Sequence, residues 1–192
     1  MPCRVFHTTQ ARIILESDSM RRSLLMLLLI ASPTVSTVVG QNDINVKYDK
    51  FGDETIIRTN EIILYSNRKP EEGVTLSAEG RYSGQIPQTP SAVALSLTYR
   101  GTGKLGVTLP LHFLLDGARL SHDDMSTDSS VFEGHRNTVV EIISAGMRFN
   151  QMERIANAKV VEGRAGAFEF KLTSAQLDIL RHFIKTLKTG KA

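Results

Sequence analysis

Residues 92–99 read Ala92-Val93-Ala94-Leu95-Ser96-Leu97-Thr98-Tyr99. Val93, Leu95, Leu97 and Tyr99 take every second place, and the small Ala92, Ala94, Ser96 and Thr98 fill the gaps. A strict period of two puts the two sets on opposite faces of a strand. The large set is the face a core needs. The small set makes a second face flat enough to lie under another layer.

The same period recurs upstream. Ile44-Asn45-Val46-Lys47-Tyr48-Asp49 alternates, and Gly52-Asp53 signals a two-residue hairpin in which glycine supplies a positive φ. Residues 54–59 and 61–65 follow as strands. The charges and breakers of 67–73 predict a loop. Residues 74–81 predict a strand with Val74, Leu76 and Ala78 on one face, and the two prolines of 84–90 predict a second loop.

Downstream, Gly101-Thr102-Gly103-Lys104 turns the chain. Residues 107–115 predict a strand with Leu109, Leu111, Phe113 and Leu115 inward. Pro110 has no N–H for a ladder, so an edge position or a bulge is expected there. Asp116-Gly117 signals another hairpin, 121–130 a polar, acidic loop, and 138–144 a further strand. Then the period changes. Asn150-Gln151-Met152-Glu153 resembles a capping box, and Met152, Ile155 and Ala156 follow at helical spacing to about residue 158. Phe168, Phe170 and Leu172 alternate as a last strand. Thr173-Ser174-Ala175-Gln176 caps a longer helix whose stripe is Leu177, Leu180, Phe183, Ile184 and Leu187, ended by Gly190.

About eight strands and then two helices predict an α+β, mainly β domain. Antiparallel hairpins should curl into a sandwich or an open barrel, with a short helix and a C-terminal helix covering one face or one open end.

The first forty residues read differently. Arg21-Arg22 precede an apolar block, 24–31, and a run ending Val38-Val39-Gly40. Positive charge, a short apolar core and small residues before a cut are the parts of a secretory signal. The block is too short for a bilayer, which needs about 20 residues. Cleavage is expected after Gly40, with Met20 the expected start and 1–19 an N-terminal extension. Residues 41–192 then form a single exported domain, periplasmic or extracellular, with no integral membrane span.

Of the 23 basic and 20 acidic residues, four and two lie in those first forty. The rest carries a formal net charge of +1, which offers no general attraction to nucleic acid or an anionic membrane. The sole cysteine is Cys3, so the mature domain is expected to have no disulfide and no thiolate metal site. Lack of cysteine and of any Asn-x-Ser/Thr sequon leans towards a bacterial envelope.

Candidate sites are sparse. Asp123, Asp124 and Asp128 offer oxygen ligands for a divalent cation, but without the spacing of a calcium loop they read as a solvated loop. His112, His122 and His135 lack the helical spacing of a zinc protease. No Gly-x-Ser-x-Gly elbow exists. Gly101–Lys104 and Gly163-Arg164-Ala165-Gly166 each precede strand residues, against phosphate or dinucleotide loops. Arg181, Lys185, Lys188 and Lys191 read as solvated cations at a helix end. Residues 48–55 read as a packed hairpin tip, with partner binding the sharper alternative.

No cofactor is implied. The expected role is a non-catalytic binding or envelope structural protein, with an envelope or secreted protein as its partner and exposed strand edges as docking surfaces. The rivals are a secreted hydrolase with a histidine–carboxylate site at His122 and Asp123 or Asp124, and a carrier holding an apolar ligand inside an open barrel.

Overall fold

The computed structural model describes residues 43–66, 72–102, 110–121, 126–133 and 138–191. In chain order they form β1 (Ile44–Asp49), β2 (Glu54–Thr59), β3 (Ile62–Ser66), β4 (Gly73–Ser83), β5 (Ala92–Gly101), β6 (His112–Leu115), β7 (Ala118–Arg119), β8 (Ser126–Glu133) and β9 (Val139–Arg148). Then come α1 (Phe149–Asn157), β10 (Val161–Ala165), β11 (Phe168–Lys171) and α2 (Ser174–Thr189). The mainly β reading with two helices holds.

Among the described residues all strand pairs are antiparallel. One sheet has seven strands in the order β1-β2-β4-β5-β9-β8, with β3 also paired to β4; the other runs β11-β10-β6-β7. Neither sheet closes into a barrel. β4 is the spine of the larger sheet. Its first half pairs β3 and its second half pairs β2, so those two lie end to end along one side of it.

The period of two explains the core. Cross-strand neighbours share a face, and the rows Gly80–Val93–Met147, Ala78–Leu95–Ala145 and Leu76–Leu97–Ile143 are buried. α2 lies against β1, β2 and β4, while α1 packs on β5, β9 and α2. Leu177, Leu180, Phe183, Ile184 and Leu187 of α2 join Phe113, Val161 and Phe170 of the smaller sheet in one core. Each fully buried side chain of this size contributes about 1.5–3 kcal/mol.

On the opposite face of the larger sheet the small residues are half-buried, and Ser96 and Ser144 share a 2.8 Å hydroxyl contact. Further along, Arg58 and Arg81 both donate to Glu79, and Arg81 also reaches Glu54 at 3.3 Å. Burial pushes the Glu79 carboxyl up, but the two guanidiniums outweigh it and hold it below the ordinary carboxylate value.

Several local expectations are corrected. There are eleven strands among the described residues, because β7, β8 and β10 carry little apolar period. Residues 126–130, expected in a loop, belong to β8. β6 lies between β10 and β7, so Pro110 marks neither an edge nor a bulge but precedes the strand. Leu109 lies outside the described residues. The first hairpin has a four-residue loop, 50–53, and its positive φ of 47° falls on Asp53, not Gly52. At α1 the cap lies two residues earlier than expected: Gln151 Oε1 accepts from the Arg148 N–H at 2.9 Å, and Asn150 is already helical. The second capping box holds, with Gln176 N–H on Thr173 Oγ1 and Thr173 N–H on Gln176 Oε1. Gly190 closes α2 at φ 67°.

Candidate functional site

The smaller sheet has a buried face and an open one. Its buried face holds Phe113, Gly163 and Phe170, with the two rings edge-on at 6.3 Å. Gly163 is required here, since a Cβ would come within 2.1 Å of the Phe170 ring. It serves packing, not a phosphate loop. The stretch 163–166 spans the end of β10 and its turn and, as expected, leads into a strand, β11.

The open face lines a cavity of about 550 Å³. The register arranges its side chains in two rows. One runs Lys171–Glu162–Leu114–Arg119 and the other Glu169–Arg164–His112. Lys171 pairs with Glu162 at 3.5 Å. An Arg119 Nη2 lies 3.3 Å from His112 Nδ1. Arginine only donates, so in this contact Nδ1 of His112 is the acceptor. Leu114 is 40% exposed in the middle of its row. The cleft opens to solvent on the sheet's outer side.

A second surface is β8, at one end of the larger sheet. It pairs with β9 from Ser126↔Gly146 to Glu133↔Val139 without a break. Its residues are exposed except for the half-buried Ser130, and Val131 and Phe132 are 49% and 56% exposed.

Of the sequence-predicted candidates, Asp128 is an exposed residue of β8 whose Oδ1 accepts from the Ser129 N–H at 2.8 Å. Asp123, Asp124, His122 and His135 lie outside the described residues, as does Lys104. Among the described residues no three His, Cys, Asp or Glu side chains gather as metal ligands. No described helix is long and apolar enough to cross a membrane.

The cations of α2 are not simply solvated. Arg181 donates to the Ala156 and Ala158 carbonyls at 2.9 and 3.4 Å and so caps the C-terminal end of α1. Lys188 pairs with Glu153 at 2.5 Å and stands 5.7 Å from the Phe149 ring. Lys185 and Lys191 are exposed.

The hairpin tip is held by its own side chains. Tyr48 donates to Asp53 at 2.7 Å, and Asp49 accepts from the Phe51 N–H at 2.9 Å. Phe51 projects, 89% exposed, with Lys50 Nζ 5.0 Å from its ring.

The open face of the smaller sheet was not visible as a site. Its side chains come from strands separated by some forty residues in sequence, and only the pairing assembles them. Compared with protein-family models, with characterised proteins and with solved structures, the chain gives no significant match.

Proposed function

We propose that the chain is an exported, non-catalytic binding domain that takes up an extended segment of an envelope or secreted partner along β8. The observation that carries this reading is the outer edge of that strand, which no other strand pairs among the described residues. Sheet edges are ordinarily blunted by lysine, proline or a bulge. β8 has none of these over eight residues. The far side of the sheet does have them: Lys47 on β1, and a bulge between Ile63 and Tyr65 in β3. An added strand would gain main-chain hydrogen bonds, with Val131 and Phe132 offering an apolar anchor on each face. Asp128 favours lysine or arginine opposite it in the partner. Export rests on the pattern of residues 21–40.

The test is capture from envelope extract with a C-terminally tagged chain, in native form and with Val131→Lys plus Phe132→Lys. A partner held by the native chain, lost with the lysines at unchanged melting temperature, and contributing an extended basic segment supports the reading. Capture indifferent to the lysines removes β8 from it. N-terminal sequencing should begin at Gln41; an intact precursor among cytosolic proteins would end the export claim.

A further inference from the structure

The open face of the smaller sheet carries an electrostatic imbalance. Lys171 and Glu162 satisfy each other. Arg119 lies 3.3 Å from His112 and, among the described residues, has no carboxylate within 4.0 Å. Arg164 stands in register between His112 and Glu169. Among the described residues it has no carboxylate within 4.0 Å. Two guanidiniums therefore flank His112 with their charges unspent, and Leu114 lies bare in the next row.

We propose that this cleft binds a small aliphatic monocarboxylate, its carboxylate held by Arg119 and Arg164 and its tail laid on Leu114. Guanidinium is the group best shaped for carboxylate, because its N–H donors match the two oxygens. Three cations face two carboxylates across the two rows, which leaves one net positive charge. That balance suits a single negative charge, and Glu162 and Glu169 would repel a polyanion. A cavity of about 550 Å³ falls within the range that takes small ligands. This site is independent of β8, which belongs to the other sheet.

The experiment is isothermal titration of the purified protein at pH 7 with hexanoate, hexylammonium, hexanol and inorganic phosphate. Hexanoate should bind saturably at one site, and each of the others at least tenfold more weakly. Arg119→Gln and Arg164→Gln should each weaken hexanoate tenfold or more while the melting temperature holds. Leu114→Ser should flatten the rise in affinity from butanoate to hexanoate. Val131→Lys should leave binding unchanged, so failure at β8 and failure here read separately. Absence of saturable hexanoate binding, equal binding by the arginine variants, or a preference for phosphate or hexylammonium would overturn the proposal.

Discussion

A Cβ placed on Gly80 of β4 would stand 2.6 Å from Cδ2 of Leu187 on α2. The helix reaches the sheet here only because the strand residue has no side chain. Both residues are buried, so Leu187 has little room to turn aside. Gly80→Ala should destabilise the fold by about 1–3 kcal/mol through overpacking. Leu187→Ala alone should remove about 2–5 kcal/mol. In the double variant the new methyl occupies part of the space vacated, so the loss should fall short of the sum. Urea midpoints of the four chains measure this; strict additivity would mean that the two sites do not touch.

Thr186, one residue earlier on α2, is fully buried and its hydroxyl has no hydrogen-bond partner. An orphaned buried polar group is unfavourable by about 1–3 kcal/mol. Thr186→Val keeps the shape and removes the hydroxyl. It should raise the stability by about 1 kcal/mol, read as a higher denaturation midpoint at unchanged slope.

Asp116 ties the β6–β7 hairpin to the segment between α1 and β10. Its Oδ1 accepts from the Lys159 and Val160 N–H groups at 3.1 and 2.8 Å, and its own N–H donates to the Val160 carbonyl at 2.9 Å. It also sits at φ 51°, a conformation that asparagine tolerates and alanine resists. Asp116→Ala should therefore lose about 2 kcal/mol and Asp116→Asn clearly less, by thermal unfolding.

Glu79 sets an acid limit on the larger sheet. Its folded carboxyl titrates below the ordinary 4.5. The stabilisation is thus complete above that value and is lost as pH falls through the lower folded one. Glu79→Gln should lower the melting temperature by roughly 2 °C at neutral pH, and the difference from the native chain should vanish in acid once the folded carboxyl is protonated. A gap that stays constant across this range would show that the arginines do not act through its charge.

The larger sheet was legible wherever burial alternates. β5 and β4 carry the period over ten or more residues, and the cap and stripe of α2 left no other reading. β8 was hidden because neither face is buried, so its sequence has no reason to alternate in hydrophobicity. β10 was hidden because Gly163 and Ala165 fill its core-facing places with almost nothing, to make room for rings such as Phe170. Glu141 is buried on the core side of β9 in register with Tyr99, where period alone would put a hydrophobe. The cleft was illegible for a different reason. Arg119 and Arg164 look like ordinary surface charges until strand pairing shows what each one faces.

Arg181 reaches out of α2 to finish α1, and the same helix supplies five large side chains to the core. A fragment ending before Leu187 therefore lacks part of the interior that the strands upstream are built around, and one ending before Arg181 also lacks the group that closes α1.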